Sequence, residues 1–269
     1  MKMLNIQSKK TNSNNVNMKN SDYHFDAEKE KNRLVEWIRD WFEENGKESP
    51  AVIGVSGGKD SSVISALCVE ALGKERVIGV LMPNGEQKDI SDSYKLVNHL
   101  GIKHVVANIA DAYNSLLPDN ANGLAKTNLA PRLRMSALYA VSQANNGRVV
   151  NTSNLSEYMV GWFTKNGDEC GDLKPLVNLT CTEVVAIGHA LGIPDELVEK
   201  KPADGLSESD DETKLGFKYS ELDALIRGYK DVDEDVRKKI TDKFVKTSFK
   251  RKPACSFKPM DETNFLVSK

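Results

Sequence analysis

A segment rich in glycine and serine, Gly54–Ser62 (GVSGGKDSS), contains the residue types that bind phosphate. Gly57 and Gly58 have no Cβ, so a phosphate can closely approach their backbone N–H groups. Lys59 adds a full positive charge, and the serine hydroxyls can donate further hydrogen bonds. Bare phosphate would repel Asp60, so we expect Asp60 to hold a divalent metal ion that the phosphate also binds. The segment therefore predicts a metal-assisted phosphate site.

The spacing within this segment differs from the two best-known phosphate loops. Three residues separate Gly54 from Gly58, and Asp60 follows Lys59, so the segment does not match the Walker A pattern G-x-x-x-x-G-K-[ST]. It does not match the dinucleotide pattern G-x-G-x-x-G either. The alternative is a strand-to-helix turn with no ligand, but a simple turn would not need so many polar groups.

Apolar runs alternate with amphipathic segments around this loop. Strands that are apolar on both faces and separated by helices favour βαβ units and a parallel sheet. The fold class is therefore α/β, a doubly wound, Rossmann-like parallel sheet flanked by helices, with ligands expected at the carboxyl ends of the strands. The predicted strands are Ala51–Val55, Arg76–Met82, Lys103–Ile109 and Arg148–Thr152, and the predicted helices between them are Ser61–Leu72, Asp89–Leu100 and Pro131–Ala144.

The outer segments predict further helices and two loops. An amphipathic helix is expected from near Phe25 to Asn45, because apolar residues recur there at helical spacing. Gly161–Pro175 has no clear period and is interpreted as a functional loop, and the acidic Ala203–Thr213 as a second one. Both are candidate lids. The remaining predicted helices are Thr182–Leu191, Tyr219–Tyr229 and Asp233–Thr247.

Length and composition limit the class of protein. The 269 residues include 37 Lys or Arg and 39 Asp or Glu, a formal net charge of −2, which argues against binding nucleic acid over the whole surface. No apolar run is long enough for a membrane span or a secretory signal, and the four cysteines form no C-x-x-C pair. We expect a cytoplasmic protein with reduced thiols. Residues 1–22 are interpreted as a disordered leader or a cloning scar, and residues 23–269 as one domain.

Several motifs together resemble one enzyme family. SGGKDSS within the phosphate loop resembles the PP-loop of the ATP pyrophosphatases, which release pyrophosphate from ATP. Downstream, Asn128–Met135 (NLAPRLRM), Gly161–Asp168 (GWFTKNGD) and Leu215–Tyr219 (LGFKY) resemble segments of NAD synthetases. The resemblance extends from about Asp26 to Phe257 and implies the adenine nucleotide alpha hydrolase-like fold of that family.

The resemblance implies an activity and a set of site residues. The activity is ATP- and Mg²⁺-dependent amidation of deamido-NAD with ammonia to give NAD, AMP and pyrophosphate through an acyl-adenylate. The implied ATP contacts are Gly54, Val55, Ser56, Gly57, Gly58, Lys59, Asp60, Ser61, Gln87 and Thr152, with Asp60 and Glu157 as the metal ligands. The implied deamido-NAD contacts are Arg132, Lys165, Asp172, Phe249 and Lys250, and the catalytic residues are Lys59, Lys165 and Asp168.

Asp168 is the candidate for holding or deprotonating ammonia, since a carboxylate can bind ammonium and accept its proton. The alternative for Asp168 and Asp172 is turn capping, which aspartate often does in loops.

The chain departs from the family pattern at several positions. Asn151 replaces a glycine, and Phe249 replaces a histidine. Cys181 stands where a lysine that contacts ATP is common, and Ala203 where a threonine or serine is common. A neutral thiol cannot supply a lysine charge, so either another cation such as Lys201 serves or ATP binds less tightly. Pro131 replaces an alanine and is expected to begin its helix in the first turn.

The expected partners are small molecules, with ammonia taken free or from a separate amidotransferase because 269 residues leave no room for a glutaminase domain. The family also implies a homodimer. Two alternatives stay open at this level: a PP-loop enzyme that modifies tRNA, favoured by the basic ends, and a non-catalytic nucleotide sensor, favoured by Cys181 and Ala203.

Overall fold

The computed structural model describes residues 23–87, 89–200 and 210–256. Its centre is a sheet of four parallel strands in the order β3-β2-β1-β4. Because β1 lies between β2 and β4, Ala51 pairs with Val77 on one side and with Arg148 on the other. The strands are β1 Ala51–Gly54, β2 Val77–Leu81, β3 Lys103–Val106 and β4 Arg148–Val149.

Helices cover both faces of the sheet. They are α1 Ala27–Asn45, α2 Lys59–Leu72, α3 Ile90–Leu100, α4 Ala110–Leu116, α5 Gly123–Ala144, α6 Leu155–Val160, α7 Cys181–Ala190, α8 Asp195–Val198, α9 Asp211–Leu215, α10 Tyr219–Arg227 and α11 Glu234–Lys246. Short 3₁₀ turns cover Lys74–Arg76 and Ser248–Arg251. Within the described ranges, no helix is long and apolar enough to cross a membrane.

Alternate side chains of β1 enter two different cores. Ala51 and Ile53 lie in the large core that α1, α2 and α7 share, and both are fully buried. Val52 points to the other face, where it lies in a smaller core against Leu138 of α5. A strand buried on both faces reads as a continuous apolar run, which is why the sequence AVI predicts it. The α/β parallel sheet flanked by helices is therefore confirmed.

The outermost strand, β3, differs from the prediction that the strands are apolar and buried on both faces. All of its residues are exposed, including Val105 at 40% and Val106 at 47%. The strand forms one edge of the sheet and pairs only with β2 among the described strands. Its apolar residues were predicted correctly as a strand, but their burial was not.

Pro131 lies inside α5, so the expectation that it begins a helix is wrong. The helix begins eight positions earlier, at Gly123, where the side chain of Asn122 accepts a hydrogen bond from Ala125 N at 2.9 Å. Proline has no N–H to complete the helical bond to the carbonyl of Thr127. The asparagine cap and the length of the helix outweigh that loss, since 22 residues are helical.

The other predicted elements match to within two residues, except in three segments. The third and fourth strands each end three residues earlier than expected, at Val106 and Val149. The acidic segment predicted as a loop is partly helical, because α9 begins at Asp211 after the cap Asp210. The rest of that segment, residues 203–209, lies outside the described residues, as do Lys201 and the proposed leader 1–22.

Candidate functional site

The phosphate loop occupies the turn between β1 and α2. Gly57 has a φ of +73°, which side-chain-bearing residues rarely adopt. A Cβ at Gly57 would also lie 2.7 Å from the backbone nitrogen of Ser93 and from Cβ of Asp92, so only glycine fits against α3. Gly58 is the N-cap of α2 and provides no side-chain cap. The first N–H groups of α2 are therefore left to a ligand, with the positive end of the helix dipole behind them.

Serine hydroxyls hold the backbone of this loop in place. Ser61 Oγ donates to the carbonyl of Gly58 at 3.0 Å, and Ser62 Oγ donates to the same oxygen at 2.8 Å. Gly58 N donates to Ser56 Oγ at 3.3 Å. These bonds fix the loop before any ligand arrives, which is the preorganisation that stabilises developing charge.

Lys59 lies between two carboxylates. Its Nζ is 2.7 Å from Asp60 Oδ2 and 4.0 Å from Glu157 Oε1, and its side chain is 5% exposed. Although burial alone would lower the pKa of Lys59, the neighbouring Asp60 and Glu157 hold that pKa above its ordinary value. Lys59 is therefore charged, and it partly neutralises the two acids.

Glu157 is the acid whose charge is least compensated. Burial and the neighbouring charge of Asp60 together raise the pKa of Glu157 to about 8, while the charge of Lys59 opposes the shift. A divalent cation between Asp60 and Glu157 would remove this cost. The described residues form no cluster of three or more metal-ligating side chains. Two carboxylates combined with phosphate oxygens are the donor set that Mg²⁺ uses with nucleotides, so the residues present fit that ion.

Asn154 connects the two carboxylates. It is fully buried, its Nδ2 donates to Asp60 Oδ1 at 3.1 Å, and its Oδ1 accepts from the backbone N–H of Glu157 at 3.0 Å. The second contact makes Asn154 the N-cap of α6. One side chain thus fixes the positions of Asp60 on α2 and Glu157 on α6.

Asn151, the departure from glycine, organises the Gly161–Pro175 loop. Its Nδ2 donates to the carbonyls of Asp168 at 2.9 Å and Cys170 at 3.1 Å, and its Oδ1 accepts from Ser153 N at 2.9 Å. The described part of the loop contains no helix or strand, as predicted. Asn151 therefore fastens the loop to the carboxyl end of β4.

Asp168 lies on this loop and faces positive charge. Its Oδ1 accepts from Thr164 N at 2.8 Å. Asp168 is exposed to the cavity, yet desolvation by the surrounding protein raises its pKa, while the hydrogen bond from Thr164 and the more weakly acting charge of Lys250 oppose the shift. Burial lowers the pKa of Lys250, whose Nζ donates to the carbonyls of Gly161 at 2.8 Å and Phe163 at 2.6 Å. The loop and the C-terminal turn are thereby joined beside Asp168.

The loop, the carboxylates and Asp168 surround one cavity of about 720 Å³. That volume lies within the range of pockets that enclose a nucleotide-sized ligand. The predicted site residues that line it are Gly54, Val55, Ser56, Gly58, Lys59, Asp60, Ser61, Gln87, Thr152, Glu157, Asp168 and Lys250. Gly57 lies behind the wall, against Asp92.

Four predicted substrate residues lie outside the wall of this cavity. Arg132 is exposed on α5, and Phe249 is 61% exposed. Lys165 Nζ donates to the carbonyls of Phe249 at 3.0 Å and Lys252 at 2.9 Å. Asp172 Oδ2 accepts from Val149 N at 2.7 Å, so its side chain is bonded to β4 rather than to a turn of its own loop. These four residues do not converge on the phosphate loop within one chain.

Sequence reasoning missed several residues of the site. Arg134, two positions after Arg132, lines the cavity, and its Nε donates to the carbonyl of Met82 at 3.0 Å. The family resemblance named Arg132, and two arginines at i, i+2 do not share a helix face, so the other one can face the cavity. Asn154 and Lys200 carried no sequence signal, because their roles depend on partners that are 94 and 108 residues away.

Cys181 is the first residue of α7 and is 6% exposed. Burial raises the pKa of this thiol to about 12. The interpretation of Cys181 as a small buried residue at the start of a helix agrees with this position.

The sequence and the fold of this chain are both similar to those of known proteins. The family model described as NAD synthase matches residues 30–254. The NH(3)-dependent NAD(+) synthetase of Thermococcus sibiricus is 39% identical over 210 residues, which is 77% of this chain and 82% of that protein. The enzyme of the same name from Finegoldia magna is 37% identical, covering 86% of this chain and 96% of that protein. A solved structure of NMN synthetase from Francisella tularensis has a TM-score of 0.80 and 33% identity, covering 87% of this chain and 99% of that chain.

Proposed function

The chain belongs to the NAD synthase family, and from that premise we propose how its residues perform the family reaction. The enzyme is a ligase that amidates deamido-NAD with ammonia to give NAD, and it consumes ATP as a substrate. One observation carries this function: the phosphate loop and the acid pair Asp60 and Glu157 line the same large cavity. A carboxylate is a poor electrophile, so it must first be activated by adenylation.

In the first step, a carboxylate oxygen of deamido-NAD forms a bond to the α-phosphorus of ATP. The bond from that phosphorus to the bridging oxygen breaks, and its electron pair leaves with pyrophosphate. The free N–H groups at the start of α2 and the ammonium of Lys59 stabilise the departing charge. Because serine hydroxyls already fix the loop, little reorganisation is needed when the charge develops.

Asp60 and Glu157 would hold Mg²⁺ in this enzyme. When bound, the ion neutralises phosphate charge and orients the reacting oxygens. Asn154 sets the positions of both carboxylates, and Lys59 holds Asp60 at 2.7 Å. The raised pKa of Glu157 supports this assignment, since a buried acid with too little compensating charge favours a cation.

In the second step, ammonia attacks the acyl carbon of the adenylate and AMP leaves. We assign Asp168 to the binding of ammonium and the acceptance of its proton. Desolvation by the cavity wall shifts the pKa of Asp168 upwards although the residue keeps access to solvent, and the higher pKa makes its carboxylate a better proton acceptor than an ordinary aspartate. Arg134 and Lys250 lie on the same cavity wall and add positive charge.

The remaining substrate contacts support a homodimer. Arg132 and Phe249 are exposed, Lys165 is half-buried, and all three lie outside the cavity wall of the single chain. Apolar side chains are exposed on β3, α4 and α5: Val105, Val106, Leu116 and Leu124. We propose that a second copy covers this surface, and that Arg132, Lys165, Asp172, Phe249 and Lys250 contact deamido-NAD in the dimer. We also propose that residues 23–269 form one domain that acts in the cytoplasm, where ATP is available.

The test measures pyrophosphate release by the purified chain with ATP, Mg²⁺, deamido-NAD and ammonium chloride. Release that requires both deamido-NAD and ammonia, with NAD detected as product, is the expected result. Omission of either one should abolish release. If ATP is not consumed when all components are present, the proposal fails.

The same assay should include the mononucleotide analogue of the substrate. One similar structure is named an NMN synthetase, and carboxylate activation would be the same chemistry on a mononucleotide. The identities of 39% and 37% to NAD synthetases favour the dinucleotide. A higher kcat/KM with nicotinic acid mononucleotide than with deamido-NAD would reverse that assignment.

A further inference from the structure

A second cavity of about 210 Å³ lies on the other side of Lys59. Lys59 and Lys200 line both this cavity and the larger one, so the two spaces meet at these lysines. The smaller cavity is also lined by Cys181, Val185, Val198, Glu199, Asp210, Glu212 and Tyr219. Lys59 of the phosphate loop forms part of its wall, so a phosphate group in this cavity would contact the loop.

The first turn of α7 gives this cavity neither a positive charge nor free N–H groups. Cys181 N donates to Ser156 Oγ at 2.9 Å, and Thr182 N donates to Asp223 Oδ2 at 2.8 Å. Glu183 N donates to Thr180 Oγ1 at 3.4 Å. Because the thiol of Cys181 is neutral, any phosphate in the cavity must find its compensating charge elsewhere.

Among the described residues, the lysines that line the smaller cavity are Lys59 and Lys200, and Lys200 lies outside the phosphate loop. Its Nζ lies 2.7 Å from Asp92 Oδ2 and 2.9 Å from Asp89 Oδ2. Asp92 packs directly against Gly57 of the phosphate loop, which places the ion pair at the loop. The Lys200 side chain is 26% exposed, so it retains access to a ligand in the cavity.

Tyr219 gives a second, independent indication of a polar ligand. The side chain is 3% exposed, and its hydroxyl has no hydrogen-bond partner among the described residues. Tyr219 lines the same small cavity, and Lys59 Nζ lies 5.8 Å from the centre of its ring. A buried hydroxyl without a partner costs free energy that an oxygen-rich ligand would recover.

We propose that Lys200 binds the departing pyrophosphate of ATP and supplies the positive charge that Cys181 does not provide. On binding, Lys200 exchanges Asp89 and Asp92 for phosphate oxygens, and the Tyr219 hydroxyl donates to the same ligand. The proposal rests on the proposed function, because it names the group that neutralises the leaving group of the adenylation step. As the bond from the α-phosphorus to the bridging oxygen breaks, the added negative charge lies on the oxygens that Lys200 contacts.

The test compares Lys200→Met with Lys95→Met. Lys95 lies 3.7 Å from the same Asp92 and also pairs with Glu196, but it lines neither cavity, so it is the matched control. We expect Lys200→Met to raise KM for ATP by about tenfold, the usual effect of losing one charged hydrogen bond. KM for deamido-NAD should stay within about twofold, and Lys200→Arg should retain most of the affinity because it keeps the charge. An unchanged KM for ATP in Lys200→Met, or an equal rise in Lys95→Met, overturns the proposal.

A reciprocal variant and a binding measurement keep the two proposals separable. Cys181→Lys introduced into Lys200→Met should recover ATP affinity if the two positions serve the same phosphate, and a folded double variant that does not recover it counts against the proposal. Calorimetry with inorganic pyrophosphate and Mg²⁺ should show weaker binding to Lys200→Met, with no substrate turnover involved.

If the wild-type chain binds pyrophosphate through Lys200 but makes no NAD, the proposed function fails while the role of Lys200 stands. If NAD is made and pyrophosphate binds both proteins equally, the role of Lys200 fails.

Discussion

At the scale of single residues, charge compensation dominates the site. Lys59 carries one positive charge between Asp60 and Glu157, and a third acid, Asp168, contributes to the raised pKa of Glu157. Burial makes each uncompensated charge expensive, because a low-dielectric interior solvates ions poorly. The site is therefore strained electrostatically without the proposed cation and the phosphates, and their binding would relieve that strain.

The first prediction concerns the protonation of Glu157. Its pKa in the folded protein is about 8, above the ordinary value of 4.5, so the fold favours the protonated acid. Without metal, raising the pH from 5 to 9 therefore removes stability from the wild type. Glu157→Gln stays neutral, so its Tm relative to wild type should rise across this range, by roughly 3 °C. Thermal unfolding at several pH values, with EDTA present, measures the difference.

Adding Mg²⁺ and ATP should reverse the order of the two Tm values, so that the wild type becomes more stable than Glu157→Gln. The wild type gains stability from the bound ion, whereas Glu157→Gln has lost a ligand and gains less. Turnover of the variant should fall by about 10²-fold. A Tm difference independent of pH would contradict the raised pKa of Glu157.

The second prediction concerns the proton acceptor. Asp168→Asn keeps the oxygen that accepts from Thr164 N, so the loop stays in place while the basic carboxylate is lost. We expect kcat/KM for ammonia to fall by about 10²-fold. Its rise with pH should also flatten, because the group that titrates has been removed. Glu169→Gln, which removes only the partner of Lys174 on the same loop, is the control and should behave like wild type.

At the scale of elements, the N-cap of the short helix α6 fixes its position relative to the site. Asn154 begins α6 and bonds Asp60, so the start of this six-residue helix is fixed relative to α2. On the opposite side of α6, Ser156 Oγ donates to Asp223 of α10 and accepts from Cys181 N of α7. Three helices therefore meet through Ser156 and Asp223, and the position of Glu157 depends on all of them.

The third prediction compares two asparagine caps. Asn154→Ala should cost about 1 kcal/mol of stability from the lost cap and reduce Mg²⁺ affinity by at least roughly tenfold, because it also releases Asp60. Asn122→Ala removes a cap of the same kind from α5, where Asn122 accepts from Ala125 N and does not line the cavity. The Mg²⁺ dependence of turnover in both variants checks the prediction. Equal loss of Mg²⁺ affinity in both would show that Asn154 acts through general stability alone.

At the scale of the whole molecule, apolar side chains are left exposed on three elements. The edge strand β3 exposes Val105 and Val106, and α4 and α5 expose Leu116 and Leu124. An exposed strand edge with apolar side chains invites pairing with another chain. The proposed dimer covers such a surface and brings exposed residues such as Arg132 to a shared site.

The fourth prediction tests this surface. Val106→Asp introduces a charge at the edge strand, where Val106 is 47% exposed, and should convert the dimer to a monomer with weakened deamido-NAD binding. Val245→Asp makes the same change at a residue that is 63% exposed on α11, and should leave the dimer intact. Sedimentation velocity distinguishes the two forms. A wild-type chain that sediments as a monomer at micromolar concentration would contradict the proposed homodimer.

The local pattern of the sequence determined the parallel sheet, most helices and the phosphate loop. Each of these depends on neighbouring residues: continuous apolar runs such as Ala51–Ile53, and the order of Gly57, Gly58, Lys59 and Asp60 before a helix. The carboxyl ends of parallel strands meet at one edge, so the sequence also placed Thr152 and Glu157 beside that loop, and both line the cavity.

Only the tertiary structure decided which residues share an environment across long stretches of chain. It selected Arg134 over Arg132 for the cavity, placed Pro131 inside α5, and left β3 exposed at the sheet edge. It also brought Lys200 to Asp92, and Asn154 to Asp60. Local propensity fixes the type of an element, whereas its burial and the charge around each side chain depend on packing between distant segments.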